Sequence, residues 1–166
     1  MKFKAELYDE KTMNRAITRI AHEISEHNEA LDDIVLVGVR TRGVPFAKRL
    51  AECIRQKIDE TVKVPVGVLD ITMFRDDIDA KIKKEHSDKS QMPCDITGRT
   101  ARAALDALIA FGRPSKIQLA VLVDRGHREV PIRADYVGKN IPTSHLESIK
   151  VGFAEVDGRD FVEIYE

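Results

Sequence analysis

Several things are scarce in this sequence, and each scarcity excludes something. Tryptophan is absent and aromatic residues make up 5% of the chain. There are two cysteines, Cys53 and Cys94, too few to make a disulfide framework or a zinc site by themselves, which points to a reducing, cytoplasmic setting. No apolar run approaches the ~20 residues that span a bilayer. The opening Met1-Lys2-Phe3-Lys4 also lacks the apolar stretch of a secretion signal, so no membrane association is expected. Neither sign of charge dominates. Lys and Arg number 27 against 28 Asp and Glu, a net charge of −1. That excludes a uniformly basic nucleic-acid binder but leaves room for a local basic face.

What is present describes a folded α/β protein. A length of 166 residues suits a single domain, 1–166, and 43% hydrophobic with 33% charged residues is an ordinary globular composition. Asp9 can cap a helix whose apolar positions Met13, Ile17, Ile20 and Ile24 recur at helical spacing. Ile34 to Val39 is a short continuous apolar run, as expected of a strand covered on both faces. Pro45 is tolerated early in the next helix, where Ala47, Leu50, Ala51 and Ile54 trace one face. Val64, Val66 and Val68 alternate into Ile71 as a second strand, and Ile117 to Val123 reads as a third. Between them, Ala101, Ala104, Leu105 and Leu108 define a helix that stops at Phe111-Gly112, with Pro114 beyond. At the C-terminus, Ile149 to Val156 and Phe161 to Tyr165 flank Asp157-Gly158-Arg159-Asp160, a hairpin turn. Alternating strand and helix signals predict a mainly parallel sheet flanked by helices.

One irregular, highly charged stretch runs from Arg75 to Thr97, longer than the ~12–15 residues usual for an unstructured loop. It is either a surface excursion or a lid over a ligand. Three short clusters follow strand signals or open helices. Arg40-Thr41-Arg42-Gly43 follows the first strand, at the carboxyl end where open α/β sheets bind ligands. Thr97-Gly98-Arg99-Thr100 opens a helix, where backbone N–H groups and the helix dipole favour a phosphate; an ordinary helix cap would read the same way. Asp124-Arg125-Gly126-His127-Arg128-Glu129 follows the third strand at the same sheet edge. Together they suit a polyphosphate-type ligand held at two ends, or else a set of solvated turns. His127 fits a surface among arginines better than a metal site. Along the first helix, Arg15, Arg19 and His22 form a basic ridge beside Thr18 and opposite the apolar stripe.

Taken together, these clusters resemble the pyrimidine-operon attenuation regulator (PyrR) family, whose members are also uracil phosphoribosyltransferases of the type I fold. The matching segments are Arg15 to Glu23, Gly38 to Gly43, Asp70 to Asp77, Gly98-Arg99-Thr100 and, most specifically, Asp124 to Ser144. The resemblance implies UMP-dependent binding of a pyrimidine messenger RNA leader hairpin, which terminates transcription. It also implies a glycosyltransferase reaction, in which uracil and 5-phosphoribosyl-1-pyrophosphate (PRPP), with Mg²⁺, give UMP and pyrophosphate. By the same resemblance Thr41 and Arg42 would hold pyrophosphate, and Thr97, Gly98, Arg99 and Thr100 the 5′-phosphate. Uracil would lie under the turn at Arg125, with Ile149 nearby, and the stretch after Arg75 would be the lid. Thr18, Arg19, His22, Arg128, Arg133 and Lys139 match the family's RNA-binding positions. A homodimer or homotetramer is implied as well. A purine phosphoribosyltransferase would share the phosphate loops but not the Asp124–Ser144 segment.

The chain departs from the family pattern at one place. The family's 5′-phosphate loop ends a longer motif of a hydrophobic strand, two adjacent acidic residues and a short linker. Here Cys94-Asp95-Ile96-Thr97 runs directly into Gly98. About a dozen residues of that pattern are missing, including the acidic pair that binds the ribose hydroxyls and the metal shell. Loss of a central strand exposes the edges of its two neighbours. Either the stretch has dropped out of the written sequence, or the deletion is real and leaves a narrower sheet on a catalytically inactive RNA-binding regulator.

Overall fold

The structure, a computed structural model, describes residues 2–76 and 98–166. In chain order the elements are β1 (Phe3–Tyr8), α1 (Glu10–His27), a 3₁₀ turn (Leu31–Asp33), β2 (Leu36–Val39), α2 (Gly43–Lys57) and β3 (Val66–Leu69). A second 3₁₀ turn (Thr72–Phe74) follows, then α3 (Arg99–Phe111), β4 (Ala120–Asp124), β5 (Tyr136–Asn140), β6 (Ser148–Gly152), the short α4 (Ala154–Asp157) and β7 (Phe161–Tyr165). All but residues 75 and 76 of the expected lid, together with Thr97, Cys94 and Asp95, lie outside the described residues.

The first helix forms as its sequence dictates. Asp9 Oδ1 accepts the Thr12 N–H at 2.8 Å, closing the N-terminus, and Met13, Ile17, Ile20 and Ile24 are buried. They meet Phe46, Leu50, Cys53 and Ile54 of α2, together with Leu122, Tyr136, Phe153 and Val162, in the main core. A second, smaller cluster joins Leu69 and Ile71 to Ala103 and Ala107 of α3. Strand β2 serves both: Leu36 packs on the main core, Val37 and Val39 on the second, as the two-residue period of a strand requires. Its expected coverage on both faces is met only in part, since Val35 is 59% exposed and the strand begins at Leu36.

The parallel strands pair two by two. β2 runs parallel to β3, with Leu36 opposite Val66 and Val39 opposite Leu69. β4 runs parallel to β5, from Ala120 opposite Tyr136 to Asp124 opposite Asn140. No ladder joins the two pairs among the described residues. A missing central strand would have this consequence, because the facing edges of its two neighbours cannot hydrogen-bond across the width of an absent strand. The third sheet is antiparallel, in the order β1-β7-β6.

Other sequence expectations shift in detail. The third strand starts at Ala120 rather than Ile117, which is 37% exposed. In α3 the buried residues are Ala101, Ala103 and Ala107, while Leu105 is only half-buried. Ala103 and Ala107 meet Leu69 and Ile71, with Ala104 and Leu108 packed beside them. The C-terminal strands do pair antiparallel, but Ala154 to Asp157 form a helical turn rather than extending β6, and Gly158 (φ +79°) reverses the chain. β1 and β5 were not foreseen.

Candidate functional site

The loop after β2 is shaped by a glycine beneath it. A Cβ on Gly38 would stand 2.6 Å from both Gly43 O and Val44 Cα, so only glycine lets the chain fold back over the strand end. The Arg40–Thr41 peptide bond in this loop is cis. Arg40 lies 3.6 Å from Asp70, whose carboxylate accepts from the Thr72 N–H and hydroxyl, so the ends of β2 and β3 are tied together. Burial raises the Asp70 carboxyl, and the Thr72 hydrogen bonds together with the Arg40 charge outweigh it, leaving it below the ordinary range. Thr41 and Arg42 are both exposed. Arg42 caps α2, which has no side-chain cap hydrogen bond, and its guanidinium is gripped by Asp157 of α4.

The loop that opens α3 has a second required glycine. Gly98 adopts φ +90°, and a Cβ there would collide with Val130 Cγ2. Arg99 reaches across to Glu129 at 2.6 Å and to Asp76 at 3.5 Å, and Arg102 also pairs with Asp76. Thr100, half-buried, is the second residue of the helix. Gly98 therefore sits directly against the segment that follows β4.

That turn is internally braced. Asp124 accepts from the Gly126 N–H at 2.8 Å and from Arg128. His127 is half-buried, not solvated among arginines: its Nε2 donates to the Thr143 carbonyl at 2.6 Å, and its ring lies 4.5 Å from that of His145. Beneath the turn is a cavity of about 90 Å³, lined by Gly98, Asp124, Arg125 and Arg128 together with apolar side chains that include Val121, Val123, Ile132 and Ile149. Gly98, Arg125 and Ile149, proposed from sequence for the phosphate and base, thus meet in one cavity. Arg128, expected on the RNA face, meets them there. Thr97 lies outside the described residues.

A second feature runs along the outer face of α1. An open groove is lined by Asp9, Glu10, Lys11, Asn14, Arg15, Thr18, Arg19 and His22, joined by Lys57 from α2, so its cations outnumber its two carboxylates. Lys57 Nζ donates to Thr18 Oγ1 at 2.8 Å. Arg19 donates to the carbonyls of Val137 and Gly138 on β5 and pairs with Glu23, so it is partly committed to holding that strand. Lys139 rides 5.6 Å above the Tyr8 ring, whose hydroxyl burial pushes up and the nearby Arg19 charge pulls down. Arg133 is exposed. Thr18, Arg19 and His22 therefore share one surface with Lys139 close to Arg19.

The described carboxylates do not build a resident metal centre. Asp70, Asp76 and Asp124 each hold an arginine already, and among the described residues no group of three His, Cys, Asp or Glu could hold an ion. No described helix is long and apolar enough to cross a membrane.

Comparison with known proteins gives this geometry its family. The phosphoribosyl transferase domain matches residues 4–93, and its match ends immediately before the break in the phosphate motif. The bifunctional protein PyrR of Clostridium novyi is 51% identical over 179 positions, covering 100% of this chain and 99% of its own. That of Thermus thermophilus is 52% identical, covering 100% and 98%. An alignment of 179 positions against 166 residues leaves at least 13 positions of the relative without a counterpart here. Among solved structures, the hypoxanthine phosphoribosyl transferase of Trypanosoma cruzi superposes with a TM-score of 0.68 at 16% identity, covering 99% of this chain and 92% of its own. A hypoxanthine-guanine phosphoribosyltransferase from Bacillus anthracis gives 0.61 at 20%, covering 98% of each. Likeness at that identity speaks for the fold alone. Sequence identity above half over the whole length speaks for more: the chain belongs to the family of bifunctional PyrR proteins, built on the phosphoribosyl transferase domain.

Proposed function

We propose that this protein, as a single domain over 1–166, has both activities of its family. It binds a pyrimidine messenger RNA leader hairpin in response to UMP, and it converts uracil and PRPP to UMP and pyrophosphate. The observation that carries this reading is the shared cavity under the β4 turn. Gly98 at the N-terminus of α3 supplies a phosphate position, and Arg125 and Ile149 flank an apolar floor suited to a pyrimidine. At about 90 Å³ the cavity has room for a part of a nucleotide, the remainder lying in the open cleft beside it.

In this reading Thr97, Arg99 and Thr100 complete the 5′-phosphate loop, while Thr41 and Arg42 take the pyrophosphate at the uncapped start of α2. Mg²⁺ arrives on the phosphates of PRPP, as Mg²⁺ commonly keeps water and substrate oxygens in its shell. The groove on α1, with Thr18, Arg19 and His22 and with Lys139 and Arg133 toward β5, takes the RNA backbone, and Arg128 links it to the nucleotide cavity. A homodimer or homotetramer would bring two such faces to one hairpin.

A second reading is favoured by one specific observation. The acidic pair of the family motif has no counterpart in the sequence ahead of Gly98, and among the described residues no ladder joins the two parallel strand pairs. On that reading the scaffold binds UMP and RNA without turnover. UMP formation from uracil and PRPP with Mg²⁺ separates the two. Turnover is expected; folded protein of 18.7 kDa without turnover leaves the binding-only reading.

A further inference from the structure

Arg42 and Arg49 stand seven positions apart, two turns along one face of α2, and between them they hold three carboxylates of the C-terminal turn. Arg49 donates to Glu155 through Nε at 2.7 Å and Nη2 at 2.6 Å, and to Asp160 through Nη1 at 2.6 Å and Nη2 at 2.8 Å, while lying over the Phe153 ring. The Asp160 side chain is 4% exposed and also accepts the Ala154 N–H at 2.7 Å. Asp157 accepts the Phe153 N–H at 2.9 Å. The position of the Asp157 carboxylate is therefore set by the turn itself, before Arg42 is considered.

On that fixed carboxylate Arg42 docks by one edge only. Its Nε donates to Oδ2 at 3.0 Å and its Nη2 to Oδ1 at 2.6 Å. A guanidinium has five N–H donors in a rigid plane. Two face Asp157, and the remaining three, the second on Nη2 and both on Nη1, point away from it on an exposed side chain. An exposed ion pair of this kind adds little to stability. Its effect is geometric: it removes the rotamer freedom of a long side chain at the entrance to α2.

We propose that Asp157 is a positioning residue for anion recognition, fixing the plane of Arg42 so that its opposite edge is presented to a pyrophosphate group. The inference rests on the assignment of Arg42 to pyrophosphate given above, and adds a residue that no sequence motif marks. The carboxylate does not touch the ligand. It acts through Arg42, and it remains in place whether or not the anion is bound, because the two use different donors.

The test is calorimetric titration of the full chain with inorganic pyrophosphate and Mg²⁺, alongside thermal melting. Asp157→Asn should weaken binding about tenfold: the amide oxygen keeps the Oδ2 position, which takes the Phe153 N–H and Nε–H, and the acceptor at Oδ1 becomes a donor facing Nη2–H. Arg42→Lys, which retains charge without the fork, should weaken it comparably, and the double variant should be no weaker than the worse single one. Asp160→Asn releases the Arg49 clamp in the same turn. It should melt lower yet keep its pyrophosphate affinity, which a merely structural role for the turn would not allow. Wild-type binding with Asp157→Asn unchanged, or with fully additive effects of the two substitutions, overturns the positioning role alone. No pyrophosphate binding by the folded wild type overturns the assignment of Arg42 and this inference with it.

Discussion

At the scale of single residues, backbone approach and charge pairing decide most of what matters. Gly38→Ala places a methyl group against two backbone atoms that cannot rotate away, so about 1–3 kcal/mol of stability should be lost. Denaturant melts of the variant measure this, and an unchanged midpoint would show that the β2 loop can lift. Arg49→Ala should cost about 3 kcal/mol, because it strands the buried Asp160 carboxylate without its partner. The same cluster sets an acid response. The Arg49 hydrogen bonds hold Asp160 and Glu155 below their ordinary values. At Asp157, burial works upward and the bonds from Arg42 and the Phe153 N–H more than cancel it. Depressed carboxyls contribute stability above their unfolded values, about 4 for Asp and Glu, and lose it as pH falls through the folded ones. Wild type should therefore lose stability steeply below about pH 4. Arg49→Ala should show a flatter profile there; equal slopes would mean the cluster carries no linkage. None of these partners was legible locally, since Arg49 and Asp160 are 111 positions apart.

Elements differ in how firmly they are held. α1 and α2 share the main core, whereas α3 adds Ala103 and Ala107 to a cluster of four buried side chains, with Ala104 and Leu108 half-buried against it, and leaves Ile109 and Phe111 exposed. Hydrogen exchange should accordingly open α3 before α1, and equal protection would show a core broader than these contacts. The positions proposed for RNA separate into two kinds. Arg19 braces β5 through two carbonyls, so Arg19→Ala should lower both melting temperature and RNA affinity. Arg133 is exposed, and Arg133→Ala should weaken RNA binding, reduce its salt slope by about 1 and leave the melt alone. RNA affinity indifferent to both would remove the RNA face from α1. The helices were readable in advance because their caps and apolar spacing are local. The α3 face was not: periodicity gives a stripe, while the partner surface decides which flank of it is buried.

For the whole molecule, the open question of chemistry becomes a question of one strand. Relatives aligned over 179 positions carry at least 13 more than this chain has. Among the described residues no ladder joins β2–β3 to β4–β5, as a sheet short of one member requires. An intact mass of 18.7 kDa for the purified protein would establish the deletion as real. A heavier species by about a dozen residues would restore the acidic pair and a joined sheet.

By itself the sequence determined the α/β class, the first two helices, the three strand-end clusters and the family, because each rests on short-range spacing or a contiguous motif. It also located the break at Ile96-Thr97, where a pattern of fixed order is interrupted. Only the tertiary structure decided that Gly98, Arg125 and Ile149 share a cavity, that Arg128 sits with them, and that Lys57 joins the α1 groove. It alone tied Arg42 to Asp157. These are meetings of residues far apart in the chain. Burial and charge select such partners only after the elements have packed.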